Sequence, residues 1–480
     1  MKTNLVWFRN DLRVYDNAAL YNACISNDEK VIGLFISTSK QWRDDFFSPK
    51  KISFIYHNLI SLKEELLKLN IHLHYHDSTD FLSSIDYLVY FCKKYQIKNL
   101  FYNYQYEINE SNRDNLVKKK LFKKGVCIKG FHSNLLIPSN QIKNTNNQAY
   151  RIFSFFKKKV VYHLSQNIPE CFPAPTKRKA FSHFFLSKLS SKKIIINFNQ
   201  KHFPIGEKQA INKLHAFCKN KLKAYSLKRN FPFLNSTSML SPYLSLGIIS
   251  PRYCLKVILK KYKNIPLNII LNSSWLNEII WREFYYHLLI NFPLLGHSES
   301  LMKWEKKINW IDNINHFNAW KDGKTGFPII DAGMRQLNKT GWMHNRLRMI
   351  TSSFLIKNLL INWRRGEKYF MSRLIDGDFA INNGGWQWSA SIGSDSVPYI
   401  RIFNPINQSK NFDKYGLFIR KYLPELNIIP DNYIHNPHNW LKENNYKINY
   451  PQPIINYQTS KEKALSIYKK AQLDSKNEKV

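Results

Sequence analysis

The first 135 residues alternate short apolar runs with helical patterns, and few folds accept that alternation. Leu5–Phe8, Val31–Ile36, Ile71–Tyr75, Asn99–Asn103 and Val126–Phe131 read as strands. Between the second and third, Lys51–Leu69 places Ile52, Ile55, Leu59, Leu62, Leu66 and Leu69 three or four apart, one apolar face of a helix. Strands that alternate with helices close into a parallel sheet wrapped on its faces. The expected fold of this half is therefore an α/β doubly wound parallel sheet. No GxGxxG follows the first strand, so the usual dinucleotide fingerprint is absent.

A chain of 480 residues exceeds what one core usually fills, which predicts a second domain. Residues 136–205 are polar and basic, with Pro138, Pro169, Pro173, Pro175 and the run Lys177-Arg178-Lys179, and suit an interdomain connection. Residues 206–470 turn helical and aromatic, with helices expected at Ser274–Asn291, Ile329–Asn338, Asn345–Arg364 and after a turn near Asp376. This half reads as all-helical, and residues 471–480 as a polar tail.

The formal charge is +38, from 72 Lys and Arg against 34 Asp and Glu. Such a field attracts polyanions, with nucleic acid foremost, although the lysine also accompanies abundant Asn and Ile and is in part compositional. Runs such as Lys118-Lys119-Lys120 read as solvated faces. Apolar runs fall well short of the roughly 20 residues a membrane span needs. The six cysteines form no CxxC pair, which argues against a disulfide framework and a zinc site. The expectation is a cytoplasmic monomer without metal.

Three segments of the second half carry chemistry. Glu278, Trp281, Arg282 and Tyr285 recur at helical spacings, placing a carboxylate, an aromatic plate and a guanidinium on one face. Taken alone, that helix reads as core tryptophan beside a surface ion pair. In Gly341–Met349, Asn345 aligns with Arg348 and Met349 as a polar clamp with a soft edge. In Asp376–Trp388, Asp376 and Asp378 flank Gly377 as a helix start or a ribose contact, and Gly384-Gly385 lets a backbone pass close to a flat ring. Upstream, Thr237-Ser238-Met239-Leu240-Ser241 offers hydroxyls and amides to a phosphate.

These blocks, with Leu5–Arg13 and Asp16-Asn17 at the start, make the chain resemble the class I, folate-using bacterial branch of the cryptochrome and photolyase family over nearly its whole length. The resemblance implies an N-terminal antenna domain and a helical FAD-binding domain. It also implies light-driven repair of cyclobutane pyrimidine dimers in DNA, by an electron passed from excited, anionic reduced FAD to a flipped-out dimer. FAD is then held by Tyr225, Thr237, Ser238, Met239, Leu240, Ser241, Trp275, Asn345, Arg348, Asp376, Gly377, Asp378 and Asn382. Met239 stands where relatives carry a basic residue.

Further roles follow from the same resemblance. Asn382 faces flavin N5, where an amide cannot donate a proton as an acid would. Glu278, Asn382 and Met349 are the catalytic set, and Trp281 and Trp388 wall the lesion pocket. Arg229, Arg282, Tyr285, Asn345, Arg346, Arg401 and Gln408 join Glu278 in meeting DNA. Trp386, Trp363 and Trp310 form an electron path. Asn109 and Glu110 hold a methenyltetrahydrofolate antenna, although His297 stands where folate-binding relatives tend to place lysine. Two alternatives remain in view: a cryptochrome-like photoreceptor that repairs nothing, and repair of (6-4) photoproducts. The second uses a histidine where Met349 stands, and methionine cannot transfer a proton.

Overall fold

The computed structural model describes residues 2–180, 198–395 and 400–477. Five strands form one sheet: β1 (Thr3–Phe8), β2 (Lys30–Thr38), β3 (His72–Ser78), β4 (Ile97–Asn103) and β5 (Cys127–Phe131). Every pair is parallel, in the order β3-β2-β1-β4-β5. β1 is central, and Leu5, Val6 and Phe8 are fully buried. Such near-continuous apolar strands are what a sheet covered on both faces requires. All five expected strands are present, and the helix Pro49–Lys68 buries Ile55, Leu59, Leu62 and Leu66 as its periodicity predicts.

The described chain divides into two compact units, residues 1–223 with 238–296 and 376–378, and residues 224–237 with 297–375 and 379–480. This partition differs from the boundaries at 135 and 206 that composition suggests. Buried polar contacts explain the difference. Asp16 accepts from Arg252 Nε (3.1 Å) and Nη2 (2.9 Å), from Ser250 Oγ, and from the amide of Phe172 (3.1 Å). Arg13 donates to the carbonyls of Ser133 (2.9 Å) and Gly247 (2.7 Å). Gly247 itself has φ of +58°, and a Cβ there would meet the carbonyl oxygen of Asn10 at 2.1 Å. Segments far apart in sequence are thus locked to the sheet.

Helix Phe153–Gln166 also interrupts the stretch read as a connection, and buries Phe156, Val160 and Leu164. Residues 181–197 of that stretch, and residues 478–480 of the expected tail, lie outside the described residues. The rest of the tail is helical, because Tyr457–Asn477 is one helix with Ala471 in the core.

The second unit is helical around an aromatic core that includes Trp320, Trp363, Phe370 and Trp386. One expected helix breaks there. Asn345–Arg364 divides into Asn345–Ser353, a π-helical turn at Phe354–Asn358, and a new helix Trp363–Arg373 capped by Asn362. Leu360 carries φ of +53°, a left-handed conformation that no helix interior tolerates.

Candidate functional site

In the first unit, helix Ser274–Asn291 buries Trp275 and leaves Glu278, Trp281 and Tyr285 half-buried. Trp281 lies flat on Phe153, with ring centroids 3.6 Å apart and planes at 5°. One face of the indole is covered, so a base can stack only on the other. Phe153 falls in an aperiodic stretch and gave no sequence signal.

Arg282 corrects the expectation. Its side chain is 6% exposed, donates to the carbonyl of Asn134 (2.8 Å), pairs with Glu283 (3.3 Å) and covers the Tyr286 ring. A guanidinium committed in this way does not reach a DNA phosphate. Burial pushes the Glu283 carboxyl up to about 7, against the pull of Arg282.

The Thr237–Ser241 run straddles the two units, with Ser238–Ser241 in the first. Met239 adopts φ of +50°, which turns the local amides out of helical alignment. Ser241 Oγ donates to Asp376 Oδ2 (2.6 Å), and Tyr286 OH donates to Asp378 Oδ2 (2.7 Å). Lys51 Nζ, almost wholly buried, donates to the carbonyl of Gly377 (2.7 Å). Three side chains therefore fix the Asp376-Gly377-Asp378 segment. Burial lowers the Lys51 ammonium to about 8, while Asp378, Glu107, Asp45 and Glu110 pull it upward. Exposed Asn109 and half-buried Glu110 lie in the first turn of helix Ile108–Phe122. Burial, then repulsion by Glu107, raises the Glu110 carboxyl well above the usual range.

In the second unit, helix Asn345–Ser353 is started by His344, whose Nδ1 accepts from the Arg346 amide (3.1 Å). Burial, reinforced by Arg346, lowers His344 to about 4, so the ring stays neutral and able to accept. The cap sets exposed Asn345 on the first turn, its amide nitrogen 3.9 Å from Met349 Sδ. Arg346 donates to Asn230 Oδ1 (2.9 Å) and Arg348 to the Met343 carbonyl (2.9 Å). Tyr225 is buried beneath half-buried Arg229, and Gln408 is half-buried in helix Pro405–Phe412.

A cavity of about 240 Å³ brings Met349, Trp388 and Arg401 together, with Ser353, Lys357 and Phe403 completing much of its wall. Lys357 was missed, although a lone lysine inside Phe354–Ile361 was the available signal. Its Nζ donates to Ser391 Oγ (2.8 Å) and to the Arg401 carbonyl (2.5 Å). Burial, with Arg401 nearby, lowers this ammonium to about 7. A larger open cleft of about 810 Å³, along residues 143–152 in the first unit, holds none of the expected residues.

Asn382 Nδ2 donates to the Glu367 carbonyl (3.0 Å). A carbonyl only accepts, so the amide nitrogen must face it and Oδ1 is turned the other way. On the same helix, a Cβ added to Gly385 would meet nothing within 4 Å. In the first unit the hydroxyls and amides of 238–241 and the paired aspartates, and in the second the oriented amide of Asn382 and the open space over Gly385, are each of a kind that fits FAD.

The tryptophans expected as an electron path all lie in this unit. Trp363 and Trp386 are buried, and Trp310 is half-buried. Glu305, itself buried, accepts at Oε1 from Trp363 Nε1 (3.2 Å), Trp310 Nε1 (3.3 Å) and Arg364 Nη1 (2.7 Å). Glu305 stands in Trp304-Glu305-Lys306-Lys307, where no local pattern marks a carboxylate for burial.

Residues 4–175 match the model of the DNA photolyase family, and residues 275–470 match the FAD binding domain of DNA photolyase. The chain belongs to the DNA photolyase family. It is 64% identical to a deoxyribodipyrimidine photo-lyase of Buchnera aphidicola (subsp. Acyrthosiphon pisum) over 98% of both chains. It is 43% identical to the Escherichia coli protein of the same name, over 98% of this chain and 99% of that one. A bacterial class III photolyase from Agrobacterium tumefaciens superposes with a TM-score of 0.88 at 33% identity, covering 98% of each chain. No helix among the described residues is long and apolar enough to cross a membrane.

Proposed function

We propose that this photolyase-family chain is a deoxyribodipyrimidine photo-lyase that repairs cyclobutane pyrimidine dimers in DNA under light. The observation that carries the reading is the 64% identity, across essentially the full length, to a relative of that name. Bound FAD supplies the electron on absorbing light and receives it back. The protein binds, orients and excludes water.

FAD would be held by Tyr225, Thr237, Ser238, Met239, Leu240, Ser241, Trp275, Asn345, Arg348, Asp376, Gly377, Asp378 and Asn382, and the Asn382 amide would be the group that meets flavin N5. The dimer, once out of the stack, meets Glu278, Asn345, Met349, the open face of Trp281, and Trp388. Arg229, Tyr285, Arg346, Arg401 and Gln408 meet the strand around it, and the surplus of cations adds sequence-independent affinity. Trp310, Trp363 and Trp386 refill the flavin with electrons. Residues 1–135 serve as the antenna part, with methenyltetrahydrofolate at Asn109 and Glu110, and residues 206–470 as the flavin-binding part. The protein acts as a cytoplasmic monomer. Met349 and Trp388 lining one cavity with Arg401 favour repair over a purely signalling role.

The test is direct. Purified protein should show flavin absorption and, with reduced flavin, remove dimers from irradiated DNA only under blue or near-ultraviolet light. Dimer loss that is equal in darkness, or absent under light, overturns the reading.

A further inference from the structure

Removing an electron from an indole leaves a cation whose N–H is strongly acidic. What happens next depends on what that N–H touches. In this chain the N–H groups of Trp310 and Trp363 both end on one oxygen of a buried carboxylate, Glu305 Oε1. Glu305 is 2% exposed, and Arg364 fixes it through both oxygens, Nη1 to Oε1 at 2.7 Å and Nη2 to Oε2 at 3.2 Å.

We infer that Glu305 is the proton acceptor that traps the oxidised tryptophan at Trp310 after an electron has left for the flavin. This rests on the reading of Trp386, Trp363 and Trp310 as the electron path. The oxidant is photoexcited oxidised flavin, which takes one electron from Trp386, and the hole passes by way of Trp363 to Trp310. There the N–H bond of Trp310 breaks and its proton moves along the existing hydrogen bond. An O–H bond forms on Oε1, leaving a neutral nitrogen-centred radical beside a neutral carboxylic acid. The transfer cancels a positive and a negative charge in a low-dielectric site, where separated charge is costly. Return of the electron then also requires return of the proton, which slows it. An external thiol completes the cycle: it gives one electron to Trp310, Glu305 gives back the proton, and the thiol is oxidised.

The direction of travel is also built in. The Arg364 guanidinium lies over the Trp363 ring, 4.6 Å from its centroid. A cation on the ring face raises the energy of a positive hole in that ring. Trp363 is therefore a poor resting place, although its N–H meets the same oxygen. Trp310 is half-buried and within reach of a dissolved reductant. Arg364 in this way pushes the hole outward, and Glu305 holds it there.

The experiment is time-resolved absorption of the flavin-loaded protein after a blue flash. In the parent, the tryptophan cation should convert to the neutral radical at a rate that slows in heavy water and ignores buffer concentration. A rate that tracks buffer, or shows no isotope effect, overturns the inference without any variant. In Glu305→Gln the cation should persist until the electron returns, and thiol-driven photoreduction should fall about tenfold. Glu305→Asp should recover part of the yield. Repair from chemically reduced flavin should be unchanged in both, which also reports that they fold and bind. Neutral radical formed in Glu305→Gln at the parent's rate and yield refutes the role of Glu305. Trp310→Phe separates the two failures: if it photoreduces as the parent does, the electron path itself is wrong, and the inference falls with it.

Discussion

Asp16 in the first unit and Asp331 in the second are both fully buried, yet the two are held in opposite ways. Asp16 faces the Arg252 guanidinium and ties together residues 16, 172, 250 and 252. Asp331 faces no such partner in its hydrogen bonds, accepting from Thr325 N and Oγ1 (2.7 Å each), Gly326 N (3.0 Å) and Tyr450 OH (2.7 Å). The first arrangement stitches segments far apart in sequence with charge. The second caps a short loop and the start of a helix with neutral donors. Burial raises the Asp331 carboxyl to about 6 despite those four hydrogen bonds.

The contrast predicts unequal costs. Asp16→Ala strands the Arg252 guanidinium inside the first unit and should cost about 3–5 kcal/mol in urea unfolding, the usual penalty for breaking a buried ion pair. A loss under about 1 kcal/mol would show that the web is dispensable.

Asp331→Asn should cost less, about 1–3 kcal/mol, because it replaces one acceptor oxygen by a donor without stranding a charge. It should also change the pH profile. The folded carboxyl keeps its proton to about 6, higher than in the unfolded chain, so its contribution is fully present at pH below about 4 and is lost as pH rises through 6. Unfolding followed between pH 4 and 7 should therefore show parent stability falling where the Asn variant is flatter. The smallest effect belongs to Lys120→Ala, which breaks an exposed pair with Asp86 and should stay within about 1 kcal/mol, vanishing in high salt. A larger loss would mean that burial is not what separates these classes.

The same contrast explains what the sequence could tell. The strands and their parallel winding were legible because each strand is a local run separated from the next by a helix, and Ser274–Asn291 was legible from its period. The division into units was not, because it rests on pairs such as Asp16 with Arg252, which no local pattern records. Within the candidate site, the resemblance supplied Met349, Trp388 and Arg401, and the structure gathers them at one cavity. It supplied Arg282 as well, where the helix turns that side chain inward toward Glu283. Lys357 and Glu305 escaped because a buried charge and a solvated one look alike until their surroundings are known.

The empty space above Gly385 has a consequence for how the chain survives heat. A glycine inside a helix gives up about 1 kcal/mol relative to alanine, and nothing in the surrounding protein would object to the extra methyl. The glycine leaves the unliganded helix weaker than it need be, and a ligand that binds only the folded chain raises thermal tolerance with its free concentration. When flavin is scarce, the unliganded chain should be lost to unfolding and turnover as well as being idle under light.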